Sequence, residues 1–107
     1  MYLKKHGYKI LAKNYGNSFG EIDIVAKKDK TIVFIEVKSQ EDKTEDLYPE
    51  RNVDWRKQRK LIRAAEYYLT KNKYPDDTCW QIDVIGIELD KVTRRANLRH
   101  LKNAIQI

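Results

Sequence analysis

Residues 31–38 read TIVFIEVK. A run rich in isoleucine and valine and apolar on both faces predicts a strand in the buried centre of a sheet. Two charges interrupt its end, Glu36 and Lys38. Ionised groups are seldom fully buried unless they are paired or bound to metal. Period-two geometry puts Ile32, Phe34, Glu36 and Lys38 on one face of the strand, so the two charges are neighbours near its C-terminal end.

Residues 21–26 (EIDIVA) carry the matching feature. They predict a second strand, with Glu21, Asp23 and Val25 on one face and Ile22, Ile24 and Ala26 on the other. Residues 27–30 are short and polar and suit a hairpin. A turn at Lys28 and Asp29 pairs Val25 with Ile32, Asp23 with Phe34 and Glu21 with Glu36. Asp23 and Glu36 then share a face as diagonal partners, about 7–8 Å apart. A cation held at roughly 2.1 Å from each carboxylate fits between them. A one-residue slip would turn Asp23 to the opposite face, so the arrangement requires an even-length hairpin loop.

Carboxylates this close repel each other, and either Lys38 or a hard cation such as Mg²⁺ can neutralise them. Together they form a set suited to phosphodiester hydrolysis. The metal would polarise a phosphate and lower the pKa of a bound water, while Lys38 positions that water or stabilises developing charge. A lone Glu-x-Lys on a strand more often reads as a buried salt bridge. Asp23 on the preceding strand shifts the balance toward a site.

Around this pair, residues 1–6 read as the last turn of a helix ended by Gly7. Tyr8–Asn14 alternates as a first strand, and 14–20 form a loop. Residues 39–51 are charged and aperiodic and predict a long loop. Residues 53–72 predict a helix with an apolar stripe of Leu61, Ile62, Ala65, Tyr68 and Leu69, capped by Asn52 or Asp54. Trp80–Glu88 is a fourth strand. The tail, 91–107, is read as a final strand and a short helix around 97–105. A long helix after the third strand implies a crossover to a parallel neighbour, hence an α/β fold with a mixed central sheet and flanking helices.

The chain has 107 residues, enough for one domain. The formal charge is +6, from 22 Lys and Arg against 16 Asp and Glu, which favours contact with a polyanion such as nucleic acid. No apolar run approaches the roughly 20 residues that span a bilayer. A single cysteine and no signal-peptide pattern predict a reducing, cytoplasmic setting.

The helix carries Arg56, Lys57, Arg59, Lys60 and Arg63 near its start, with Arg51 just before. Lying largely off the apolar stripe, they could contact phosphates or simply form a solvated face. Gln58, three residues before Leu61, either points toward the site or bonds backbone. Asp83 inside the fourth strand needs a partner, expected to be an Arg or Lys. His6 and His100 look isolated and do not suggest zinc. Trp55, Trp80 and the tyrosines could stack on bases, although most suit core or rim positions.

Asp23 followed on the next strand by Glu36-Val37-Lys38 resembles the PD-(D/E)XK nuclease core. The segments GEIDIVA (20–26), VFIEVKS (33–39), KQRKLIRAAEYYL (57–69), QIDVIGI (81–87) and RHLKNAI (99–105) resemble, in order, the YraN family of small bacterial proteins. That family is described as predicted endonucleases related to archaeal Holliday junction resolvases. The resemblance implies a restriction-endonuclease-like fold. It implies Mg²⁺ or Mn²⁺ held by Asp23, Glu36 and the Val37 carbonyl, and Lys38 as the catalytic lysine. It also implies DNA as substrate, with branched DNA calling for a homodimer. A fuller N-terminal helix is expected ahead of residue 1, bearing a Gly-x-x-Gly-Glu segment whose glutamate completes the metal site in related resolvases. The alternatives are a nucleic-acid-binding scaffold without catalysis, and a protein-interaction domain built around a buried Glu36–Lys38 pair.

Overall fold

The computed structural model describes residues 2–41 and 54–107. The elements run α1 (Tyr2–Lys5), β1 (Lys9–Asn17), β2 (Gly20–Lys28), β3 (Thr31–Glu41), α2 (Trp55–Lys71), β4 (Trp80–Leu89) and β5 (Ala96–Leu101). The five strands form one sheet in the order β1-β2-β3-β4-β5. β3 and β4 are parallel and the other neighbours antiparallel, so the sheet is mixed as the crossover requires. No described helix is long and apolar enough to cross a membrane.

Two apolar layers flank the sheet. On one face, Ile22, Val25, Ile32, Phe34, Ile82 and Val84 pack with Leu61, Ala64, Ala65 and Tyr68 of α2. On the other, Ala26, Val33, Ile35 and Ile85 pack with Leu3 of α1 and Tyr8. The alternation along β3 explains the split: even positions face α2 and odd positions face α1. Phe34 sits between edge-on contacts with Tyr68 and Trp80, with ring centroids 5.6 and 5.7 Å away. Gly7 closes α1 at φ +86°, a conformation that favours glycine.

The structure corrects several expectations. The β2–β3 hairpin turns one residue later than expected, pairing Lys28 with Thr31, Val25 with Phe34 and Ile24 with Ile35. The register therefore moves by two residues, because the turn falls at Asp29, which takes φ +53°, and Lys30. An even shift preserves the faces, and Asp23 comes opposite Glu36 instead of diagonal to it. β2 also fails to alternate strictly. Ile22 and Val25 both enter the α2-side core, while Ile24 packs on the α1 side. The phase of the strand slips between Ile22 and Val25, where Asp23 lies.

β1 continues to Asn17 and β3 to Glu41, so the loops read at 14–20 and 39–51 are shorter at those ends. The rest of the second loop, Arg51 and the Asn52 cap lie outside the described residues. The cap is Asp54, whose Oδ1 accepts from Lys57 N at 3.0 Å. The tail forms no helix. After β5 the chain turns, Ala104 N donates to Ile82 O at 2.8 Å, and Ile105 is buried in the α2-side core.

The partner of Asp83 is a histidine, not an Arg or Lys. His100 Nε2 lies 2.6 Å from Asp83 Oδ2, and Gln81 Nε2 and Asn103 N donate to Oδ1 at 2.8 Å each. His100 Nδ1 in turn meets Tyr2 Oη at 2.9 Å, so this histidine is not isolated. Besides Glu36 and Asp83 a further acid is buried, Glu88, which the sequence did not single out; it pairs with Arg99 at 3.0 Å.

Candidate metal and phosphate site

The site lies where β2 and β3 part. Their paired register ends at Ile24 and Ile35. One step further, the Val37 N–H donates to Asp23 Oδ2 at 2.7 Å, so a side chain takes over a strand-to-strand bond. That hydrogen bond fixes the Asp23 carboxylate beside β3, next to Glu36.

Glu36 is 6% exposed. Its carboxyl is pushed up to about 7, first by burial, then by the hydrogen bond and the charge it shares with Asp23. Lys57 opposes this from α2, its Nζ 3.4 Å from Glu36 Oε1. The Asp23 carboxylate so close to Glu36 favours the protonated Glu36 or a bound cation.

The pair forms part of a pocket of about 560 Å³ lined by Gly20, Glu21, Asp23, Glu36, Asp54, Arg56, Lys57, Lys60 and Leu61. β3 and the first turn of α2 meet at this pocket. Glu36 lies midway along β3, past the point where β2 stops pairing with it, and the first turn of α2 packs over that stretch. The positive dipole end of α2 adds to the field of Arg56, Lys57 and Lys60. Asp54 is held below the usual carboxylate range, chiefly by the N–H of Lys57. A cap that stays ionised keeps the start of the helix in place.

Asp23 and Glu36 are brought together as expected. Lys38 is half-buried on the same face of β3, and its charge acts on Asp54, while the ammonium that reaches Glu36 is that of Lys57. The buried Glu36–Lys38 pair weighed from sequence is thus replaced by Glu36–Lys57. The side chain of Val37 lies on the other side of Asp23, in a shallow depression with Lys13, Asn14 and Ile24. Arg56, Lys57 and Lys60 line the acidic pocket. Arg56, Arg59, Lys60 and Arg63 line a second groove beside it. Gln58 is half-buried and lines neither.

The donor set suits a hard cation, being two carboxylates with room for solvent, as Mg²⁺ prefers. It is sparse, because no group of three or more His, Cys, Asp or Glu able to hold a metal occurs among the described residues. The sequence missed two residues of this region. Lys57 was read only as a phosphate contact, and Phe19, in the second groove, drew no notice. Lys57 is placed by the packing of α2 over β3 and Phe19 by the β1–β2 turn, both long-range arrangements that local spacing does not reveal.

A sequence model described as "Uncharacterised protein family UPF0102" matches residues 1–87. The UPF0102 protein of Campylobacter hominis is 39% identical over 97 residues, which are 91% of this chain and 82% of that protein. The UPF0102 protein of Lachnoclostridium phytofermentans is 40% identical over 103 residues, 96% of this chain and 81% of that one. Among solved structures, Pyrococcus furiosus SfsA in complex with Ca²⁺ is similar at 15% identity and a TM-score of 0.40, covering 97% of this chain and 58% of that one. With a family model over most of the chain and relatives near 40% identity along nearly all of it, the chain belongs to the UPF0102 family.

Proposed function

We propose that this chain is a divalent-metal-dependent nuclease of restriction-endonuclease-like fold that hydrolyses phosphodiester bonds in DNA. The observation that carries the reading is the Asp23–Glu36 pair at the parting of β2 and β3, facing a cationic helix start. Mg²⁺ or Mn²⁺ held by these two carboxylates would supply charge neutralisation at the phosphate and a more acidic water. Val37 follows Glu36 directly and would offer its carbonyl. Arg56, Lys57 and Lys60 hold the phosphate by charge, and Lys57 balances Glu36 until a cation arrives. Lys38 lies two residues beyond Glu36 on the same face, where it can donate a proton or position a water.

Two carboxylates alone also suit a second reading, a nucleic-acid-binding module without catalysis. Incubation of end-labelled junction, flap and duplex DNA with Mg²⁺ or Mn²⁺ separates the two. Cleavage abolished in Glu36→Ala and Asp23→Asn, with the circular dichroism spectrum unchanged, is the expected result. Salt-sensitive binding with no product under either metal would replace the nuclease reading by the second.

A further inference from the structure

The groove beside the acidic pocket holds a feature that phosphate chemistry leaves unused. It is lined by Ser18, Phe19, Trp55, Arg56, Arg59, Lys60 and Arg63, and shares Arg56 and Lys60 with the pocket. Two large rings stand open in it, Trp55 at 62% exposure and Phe19 at 43%. Tyr67 extends the row, its ring centroid 5.7 Å from that of Phe19. Exposed aromatic rings grouped on one surface mark an interaction site more often than chance.

The rings are held in place. Asn17 Oδ1 accepts the Phe19 N–H at 2.9 Å, and Asn17 Nδ2 donates to Ala64 O at 3.2 Å and to Tyr15 Oη at 3.0 Å. The β1–β2 turn that carries Phe19 is thereby tied to α2. At Gly20 a Cβ would stand 3.4 Å from the Lys60 carbonyl oxygen, which shows how closely the turn rides on the helix. Trp55 occupies the first helical position and carries the Arg56 guanidinium 5.5 Å from its ring centroid. Arg56, Arg59, Lys60, Arg63 and Tyr67 follow at helical spacing, a stripe about 16 Å long at 1.5 Å per residue.

Cations beside open ring faces match the chemistry of an unpaired strand. The cations track the phosphates and the rings take the bases, whereas a duplex keeps its base faces stacked on one another. We propose that this groove is a stacking subsite for an unpaired base of a nucleic-acid strand whose neighbouring phosphate enters the acidic pocket. The ligand class is single-stranded DNA, or the single-stranded arm of a branched DNA. The proposal rests on the nuclease reading for the identity of the ligand, and binding tests it apart from cleavage.

The test is fluorescence anisotropy with a 5′-fluorescein single-stranded oligodeoxynucleotide and the blunt duplex of the same sequence, in EDTA so that nothing is cut. Trp55→Ala and Phe19→Ala should each weaken single-strand binding about tenfold, the effect of losing one stacked base, and duplex binding less than twofold. Trp55→Phe, which keeps a ring, should restore most of the loss. Phe19 lies on a different element from Trp55, so the second variant stands even if the first perturbs the start of α2. Wild-type affinity for the single strand in both alanine variants overturns the proposal, as do equal losses on both substrates. Ring-dependent binding without metal-dependent cleavage would leave the subsite and remove the nuclease; cleavage without ring dependence would do the reverse.

Discussion

Lys57 Nζ stands 3.4 Å from Glu36 Oε1, joining the first turn of α2 to the buried middle of β3. The two ends of this ion pair differ. The lysine side chain is 45% exposed and the glutamate side chain 7%. The lysine acts as a half-solvated counter-charge, and the acid depends on it more than the reverse.

Replacing Lys57 by methionine keeps most of the side-chain bulk and removes the charge. The Glu36 carboxyl, already at about 7, then rises further, because the one influence lowering it is lost. On the proposed nuclease reading metal binding needs the carboxylate, so the acid limb of the cleavage profile should move to higher pH. The expected result is a loss of kcat/KM at pH 6.5 several-fold larger than at pH 8.5. A pH–rate profile with Mg²⁺ checks it, and parallel profiles would show that Lys57 does not tune Glu36.

Stability without metal should carry the same signature. The folded chain binds the Glu36 proton near pH 7, and the unfolded chain near the ordinary value of 4.5. Between these values the folded state holds more protons, so the Glu36 contribution to stability is fully present below 4.5 and is lost as pH rises through 7. The full shift corresponds to at most about 3 kcal/mol, less after solvent screening at the open side of the pocket. Glu36→Gln cannot ionise and should lose this slope. Urea unfolding in EDTA at pH 5 and pH 8 measures it: the variant should gain on the wild type at the higher pH. Mg²⁺ should raise the melting temperature of the wild type at pH 8 and leave that of Glu36→Gln unchanged.

Much of this site was legible because it broke a local rule. Charges at the end of the apolar TIVFIEVK run, and an aspartate in the strand before it, conflict with burial, and such conflicts gather at functional sites. The sheet order followed from one long helix after the third strand. What stayed hidden depended on exact register. The turn falls at Asp29 and Lys30 instead of Lys28 and Asp29, and that one-residue displacement moves the pairing by two residues, which the polar residues 27–30 do not reveal. Asp83 was recognised as needing a partner, but charge matching pointed to Arg or Lys. The β4–β5 register pairs Ile85 with His100, making that histidine the diagonal neighbour of Asp83. The tail reads as a strand and a short helix, but after β5 Ala104 N bonds Ile82 O of β4 and Ile105 enters the core, a long-range anchor that local pattern does not show.

The Asp83–His100 pair should be a structural linchpin. Asp83 is 0% exposed and the His100 side chain 4%, and the pair ties β4 to β5 and, through Tyr2, to α1. His100→Ala leaves one carboxylate oxygen of a buried acid without its partner, which costs about 2–4 kcal/mol. Asp83→Asn/His100→Ala should cost clearly less than the sum of the single changes, since each removes the same interaction. Urea denaturation of the four proteins gives the coupling energy. A value within about 0.5 kcal/mol of zero would mean that the two side chains act independently.

Asp23 has two duties that substitution can separate. Its Oδ2 accepts the Val37 N–H at 2.7 Å, and its charge helps hold the Glu36 proton. Asparagine retains a carbonyl oxygen that can accept from Val37, so Asp23→Asn should fold with a stability within about 1 kcal/mol of the wild type. Without the neighbouring charge, the Glu36 carboxyl moves down toward its ordinary value, and one of the two oxygen donors loses its charge. On the proposed nuclease reading, metal-dependent cleavage should fall at least a hundredfold. Asp23→Ala removes the acceptor as well, leaving the Val37 N–H without it in a half-buried strand, and should cost about 1–3 kcal/mol more. Chemical denaturation beside a cleavage assay distinguishes the cases. Equal destabilisation by both substitutions would mean that the carboxylate charge, not the hydrogen bond to Val37, holds β2 and β3 together at the site.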